Sequence, residues 1–302
     1  MFRRILVPLD ATPFSERALA HVRRLLKRED AVVELLTVVP PLGRETTSDP
    51  EEGERFVTLR LEHARRRLKE LAQGLEEQGA TVRWDARLGD PADQILRRTE
   101  EEPPVSLVAM ATHGRTGPVR WIRGSVAERV LRHANVPLLL CNPSEEGEGD
   151  AAPRFRKILV PLDGSDNSAA ILPLAEEFAR LYESELVLCR VGALAATAVP
   201  YGEMLGPPVM LPELEEGLAP FVDRLKDQGL QVTTHVSLGD PASEILAAVD
   251  RLEVDLVAMT THGHTGVDRW LFGSVAENVL RHCRVPLLVK RVRALRAQRE
   301  AG

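Results

Sequence analysis

Most of this sequence is written twice. Ile5-Leu6-Val7-Pro8-Leu9-Asp10 returns as Ile158-Leu159-Val160-Pro161-Leu162-Asp163, an offset of 158 − 5 = 153. Leu88-Gly89-Asp90-Pro91-Ala92 returns as Leu238-Gly239-Asp240-Pro241-Ala242, an offset of 238 − 88 = 150. The block from Thr112 to Leu139 returns from Thr261 to Leu288, an offset of 261 − 112 = 149, sharing THG-TG, RW, GSVAE, VLRH and VPLL. A period of this size is too long for a solenoid unit and matches a whole domain. The 302 residues are therefore read as a duplicated domain, 1–142 and 154–302, with a linker at 143–153. Asn142 to Arg154 reads NPSEEGEGDAAPR, a polar, acidic stretch without periodicity, as an exposed linker requires.

Each half alternates strand and helix signals. Arg4–Leu9 is a short continuous apolar run, the pattern of a strand buried on both faces. Helical spacing of apolar residues covers Ser15–Lys27 and Thr58–Gln78, the second stopped by Gly79. Strands are expected at Ala31–Val39, Thr81–Ala86, Val105–Met110 and Val136–Cys141, with helices at Pro91–Arg98 and Ser125–His133. The second half repeats this order, with strands near 157–162, 185–191, 231–236, 254–259 and 285–289. Alternating β and α implies an α/β fold: two tandem, doubly wound, five-stranded parallel sheets, Rossmann-like, in the order 3-2-1-4-5. Ligands in such sheets bind beyond the carboxyl ends of the strands, where the order reverses. That crevice brings Asp10 to the 110–117 loop, and Asp163 to the 259–266 loop.

Composition excludes several classes. Apolar residues at 44% and charged residues at 28% are ordinary for soluble globular chains. No run approaches the ~18 apolar residues of a spanning helix. A net charge of −6 gives no general attraction to nucleic acid, and the basic stretch from Lys290 to Arg299 reads as a solvated helix end. The first residues lack the ~7–15-residue apolar core of a secretory signal, so a cytoplasmic location is expected. Cys141, Cys189 and Cys283 are far apart, with no CxxC and no zinc-like spacing to histidine, and read as buried small hydrophobes.

The chemistry lies in the loop after strand four. It reads Met110-Ala111-Thr112-His113-Gly114-Arg115-Thr116-Gly117 and later Gly124-Ser125-Val126; its copy reads Met259-Thr260-Thr261-His262-Gly263-His264-Thr265-Gly266 and Gly273-Ser274-Val275. Glycines let backbone amides approach an anion, consecutive amides form a nest, and a helix start adds partial positive charge. A phosphate chain could be held there without a lysine. The plainer reading is a capping box, Ser125-Val126-Ala127-Glu128 and Ser274-Val275-Ala276-Glu277, in which each serine serves its own helix.

Both halves resemble the universal stress protein family, on the first-strand Ile-Leu-Val-Pro-x-Asp, Ser15-Glu16-Arg17-Ala18-Leu19, THGRTG and GSVAERVLRHANVPLLL. The ATP-binding branch of that family carries G-x2-G-x9-G-[ST]. This chain keeps the spacing but has Ala111 and Thr260 where the first glycine stands. If that position needs positive φ, the β-branched Thr260 makes the second site the weaker one. The resemblance implies ATP as ligand, with Mg2+ as an accompanying ion. It gives Asp10 and Asp163 to the ribose hydroxyls, and Pro8, Leu9, Pro161 and Leu162 to the walls of the adenine pocket. It gives the backbone of Val38 and Val191 to the adenine edge. Phosphates fall to Gly114, Gly124, Ser125 and Val126, and to Gly263, Gly273, Ser274 and Val275. Met110, Ala111, His113 and Met259 line the same loops. Arg115 is expected to pair with phosphate, and its counterpart His264 only when protonated.

No GxxxxGK[ST], metal-type cluster or Ser–His–Asp set is present, so no catalytic residue is assigned and any hydrolysis is expected to be slow. Trp121 and Trp270, with Arg120 and Arg269, read as packing for the loop. The segments after strand two differ: Pro40–Glu54 is acidic, whereas Gly192–Pro212 is nearly uncharged with Tyr201, a lid or an association patch. The fifth strands are sheet edges through which family members pair, so the halves are expected to dimerise within the chain, with a homodimer beyond that. The reading is an ATP-binding stress-response regulator, with neither nucleic acid nor membrane as partner. Its rivals are a nucleotide-free interaction module, favoured by Ala111 and Thr260, and a slow ATPase. Retained nucleotide separates the first, and product formation lost with Gly124 the second.

Overall fold

The computed structural model describes residues 2–22, 31–41, 50–111, 125–141, 155–192, 211–261 and 272–292. The chain divides into two compact units, Met1–Pro153 and Arg154–Gly302.

In the first unit the elements are β1 (Arg4–Leu9), α1 (Pro13–Val22), β2 (Val32–Val39), α2 (Pro50–Glu76), β3 (Thr81–Leu88), α3 (Pro91–Glu100), β4 (Leu107–Ala111), α4 (Ser125–His133) and β5 (Leu138–Cys141). The strands are parallel in the order β3-β2-β1-β4-β5, as the alternation predicts. Strand β1 is central and its apolar residues Ile5, Leu6 and Val7 are at most 1% exposed, so both its faces carry core. The second unit contains β6 (Lys157–Pro161), α5 (Asp166–Ala169), α6 (Leu172–Tyr182), β7 (Glu185–Gly192), α7 (Leu211–Glu216), α8 (Ala219–Asp227), β8 (Val232–Leu238), α9 (Pro241–Arg251), β9 (Leu256–Thr260), α10 (Ser274–His282) and β10 (Leu287–Lys290). Its strand order, β8-β7-β6-β9-β10, is the same topology.

Several element boundaries shift by one or two residues, and three differences have a plain physical cause. Helix α2 starts at Pro50, eight residues before the periodic stretch. Its first turns are solvent-exposed and so carry no apolar period; proline in the first turn with Glu51 and Glu52 beside it sets the start. In the second unit the matching helix is broken into α7 and α8, around Gly217 with Pro220 behind it. Strand β3 runs on to Leu88 as an edge strand, where exposed residues hide the alternation.

The repeated Leu-Gly-Asp-Pro-Ala block is structural. Asp90 caps α3 by accepting from the Asp93 N–H (3.0 Å), and Asp240 caps α9 by accepting from the Ser243 N–H (2.9 Å). The cores are not identical, however. In the first unit Glu34 on β2 is buried and accepts from Arg98 Nε (2.7 Å) and Nη2 (2.9 Å), and also from Arg4. The corresponding second-unit positions, 34 + 153 and 98 + 150, are Val187 and Ala248, both buried and apolar. All three cysteines are free and buried, as their apolar surroundings predict; burial raises each thiol, Cys189 and Cys283 to about 12. Among the described residues no helix is long and apolar enough to cross a membrane.

Candidate functional site

The carboxyl ends of β1 and β6 place the two aspartates alike. Pro8 and Leu9 end β1, Leu9 buried and Pro8 partly so, and Asp10 follows, exposed. The Asp10 carboxylate is not loose. Its Oδ1 accepts from the Thr12 N–H (3.0 Å) and from the Thr12 hydroxyl. The Asp10 N–H donates to Ser15 Oγ (3.2 Å), and Ser15 Oγ donates to the Thr12 carbonyl (3.0 Å). Past Pro161 and the buried Leu162, the second unit repeats this network. Asp163 Oδ1 accepts from the Ser165 N–H (2.9 Å) and hydroxyl (2.6 Å), and the Asp163 N–H donates to Ser168 Oγ (3.2 Å). These turns hold one carboxylate oxygen of an otherwise solvent-facing aspartate. The pattern D-x-[ST]-x-x-S was the signal for Thr12, Ser15, Ser165 and Ser168, which the sequence reading did not single out. DATPFS and DGSDNS differ everywhere else.

To hold this loop the chain turns left-handed just after each aspartate. Gly164 has φ +88; at the same place in the first unit Ala11 has φ +61. A residue with a Cβ is disfavoured there by about 1–2 kcal/mol. Strain of this kind persists only where the surroundings fix it.

Val38 and Val191 lie near the ends of β2 and β7. The β1–β2 ladder ends at Leu9 opposite Thr37. In the second unit the Leu162 N–H donates to the Cys189 carbonyl (2.8 Å), and the next rung, from the Val191 N–H to the Leu162 carbonyl, is not formed. The Val191 backbone is thus past the last bond of the central ladder, beside the aspartate loop.

Met110 and Ala111 close β4, and Met259 and Thr260 close β9. Among the described residues only Ala11, Glu183 and Glu253 combine a side chain with positive φ. Ala111 and Thr260 are extended strand residues, paired with Cys141 and Lys290. The condition under which Thr260 would weaken the second site is therefore not met, since a β-branched residue suits a strand.

The start of α10 also departs from the capping-box reading. The N-cap is Gly273, no side chain among the described residues caps the helix, and Ser274 is its first residue, exposed. Glu277 pairs with Arg281, as Glu128 pairs with Arg132 in α4, instead of reaching back. The Gly273 N–H donates to the Thr261 carbonyl (3.0 Å), which ties the helix start to the end of β9. Gly273 has an ordinary φ of −62, and an added Cβ would meet only the Thr261 carbonyl oxygen, at 3.7 Å. Neither conformation nor the described neighbours demand glycine there. Helix α10 thus offers first-turn N–H groups without a side-chain acceptor among the described residues, and the positive end of its dipole. Ser125 and Val126 open α4, Ser125 exposed. His113, Gly114, Arg115, Trp121 and Gly124 lie outside the described residues, as do His262, Gly263, His264 and Trp270.

A separate concavity of about 240 Å3 lies over β2 and β3 of the first unit, lined by Glu34, Arg83, Asp85, Arg87 and Arg98 among others. It shares no residue with the candidate site, and most of its charges are spent on each other: Arg98 on Glu34, Arg87 on Asp85 and Glu101.

The sequence matches the profile of the universal stress protein family over residues 1–142 and 154–291. A universal stress protein of Methanocaldococcus jannaschii is 30% identical over 138 residues, covering 45% of this chain and 81% of its own. One of Mycolicibacterium smegmatis is 23% identical over 299 residues, covering 96% of this chain and 97% of its own. The crystal structure of a universal stress protein from Archaeoglobus fulgidus superposes with a TM-score of 0.69 at 22% identity, over 96% of this chain and 97% of that one. The duplicated fold, the two matched segments and the full-length relatives together make this chain a tandem member of the universal stress protein family.

Proposed function

We propose that each unit binds an adenine nucleotide at the carboxyl end of its sheet, with ATP as the ligand, and that the chain acts as a stress-response regulator with slow or no hydrolysis. The observation that carries this is the start of α10, where no side chain among the described residues caps the helix and neither conformation nor described neighbours require glycine at 273. Beyond the end of β6, Asp163 is held by a hydrogen-bond network that the first unit repeats at Asp10. Asp10 and Asp163 contact the ribose hydroxyls. The Val38 and Val191 backbones, past the end of the central ladder, take the adenine edge. Gly114, Gly124, Ser125 and Val126 take the phosphates in one unit, and Gly263, Gly273, Ser274 and Val275 in the other. Mg2+ accompanies the phosphates.

The test is to denature the purified protein and identify any released nucleotide by chromatography and mass spectrometry, with its molar ratio. Near-stoichiometric ATP is the expected result. A ratio of two supports both sites, and a ratio of one a single competent unit. ADP or AMP points to slow hydrolysis. An empty protein that also fails to bind ATP on titration overturns the proposal and leaves an interaction module.

A further inference from the structure

The two units place one arginine differently. In the first, Arg67 of α2 forms a fork on Glu16 of α1, Nε to Oε1 at 2.9 Å and Nη2 to Oε2 at 2.7 Å. The corresponding second-unit positions, 67 + 150 and 16 + 153, are Gly217 and Ala169, so both cation and counter-ion are gone. A cation returns from a different element. Arg190 of β7 stands where the first unit has the buried Thr37 (190 − 153).

The Arg190 guanidinium occupies a slot that two glycines leave open. A Cβ at Gly217 would fall 1.8 Å from Nη1, and a Cβ at Gly164 would fall 2.8 Å from Nη2. Gly164 directly follows Asp163, and Gly217 is the break between α7 and α8. The cation therefore lies at the carboxyl edge of the sheet, beside the aspartate loop. It is half-buried and has neither hydrogen bond nor ion pair among the described residues. A guanidinium offers five N–H donors in a fork that matches a phosphate, and partial burial makes an unmet fork a strong anion ligand. In dinucleotide sites an acid reads the free ribose 2′-hydroxyl, or an arginine nearby accommodates a phosphate at that position.

We propose that Arg190 makes the second unit a site for adenine nucleotides bearing an additional phosphate on the ribose 2′- or 3′-oxygen, whereas the first unit takes the unmodified ribose. The proposal rests on the nucleotide reading above. Asp163 contacts the remaining free hydroxyl, and the Arg190 fork holds the added phosphate.

The test uses the full chain carrying Asp10→Asn to weaken the first site. It is titrated calorimetrically with AMP, adenosine 2′,5′-bisphosphate and adenosine 3′,5′-bisphosphate. One bisphosphate is expected to bind about tenfold or more tightly than AMP, the scale of a charge-assisted pair. Which isomer wins identifies the oxygen. Arg190→Gln should abolish the preference while leaving AMP affinity within about twofold, and Arg190→Lys, a point charge without the fork, should keep only part of it. Equal binding of all three ligands in the parent overturns this proposal and leaves the nucleotide reading intact. So does an Arg190→Gln variant that melts earlier yet discriminates as before, which would make Arg190 a filler of the helix break. Binding of none of them, nor of ATP, overturns both.

Discussion

Replacing Ala11 with glycine should stabilise the protein, against the usual direction of an alanine-to-glycine change. Ala11 sits at φ +61, in the same turn where the second unit has Gly164 at φ +88. Relief of left-handed strain is worth about 1–2 kcal/mol. Glycine returns about 0.4–1 kcal/mol of that through the freedom it adds to the unfolded chain. The net expectation for Ala11→Gly is a gain of about 0.5–1 kcal/mol. For a unit of this size that is a rise of about 1–4 °C in the melting temperature. The reciprocal change, Gly164→Ala, meets the same backbone penalty and also displaces the Arg190 Nη2 from 2.8 Å. It should cost about 1–2 kcal/mol. Differential scanning calorimetry of both variants beside the parent measures this. A destabilised Ala11→Gly, or a neutral Gly164→Ala, would refute the claim that this turn holds Ala11 under strain.

Ser274→Ala should change stability by less than about 0.5 kcal/mol, because no side-chain cap is lost, yet weaken nucleotide binding on titration. A loss of about 1 kcal/mol or more in urea unfolding would restore the capping role. Glu34→Gln leaves the Arg4 and Arg98 charges buried without a counter-ion and should cost about 3–5 kcal/mol. The double change Glu34→Val with Arg98→Ala, copying Val187 and Ala248, should cost less than half of that in the same denaturation assay. Burial lowers His21 from 6.5 to about 4. Its neutral form is the folded form, so its contribution is whole above pH 6.5 and is lost as pH falls through 4, by about 3 kcal/mol. His21→Gln should flatten that part of the stability profile between pH 7 and 4.5; an unchanged slope would exclude His21 as its source.

The topology was legible because it depends on apolar period and on the repeat, both properties of the residue string. The early start of α2 was not, since Glu51, Glu52 and their neighbours face solvent and carry no period. Asp10 and Asp163 were legible as strand-end acids. The turns that hold them were not, because a hydroxyl two residues on signals a turn only once the left-handed step at 11 and 164 is seen. Ser274 satisfied a capping pattern by composition alone. Whether a serine is the cap or the residue after it is a question of one residue, which spacing does not decide. Arg190 could not be found from its own segment: its place depends on glycines 26 residues before it and 27 after it.

Two near-copies in one chain invite a folding error, in which an element of one copy completes the sheet of the other. The buried Glu34–Arg98–Arg4 group makes that exchange costly in both directions. Were α9 to pack where α3 belongs, the Glu34 carboxylate would face Ala248 and be left beside Arg4 alone. Were α3 to pack on β7, Arg98 would enter a wall formed by Val187. The ion group therefore acts as a keyed joint between β2 and α3, so that two halves similar enough to share a fold remain different enough to assemble apart.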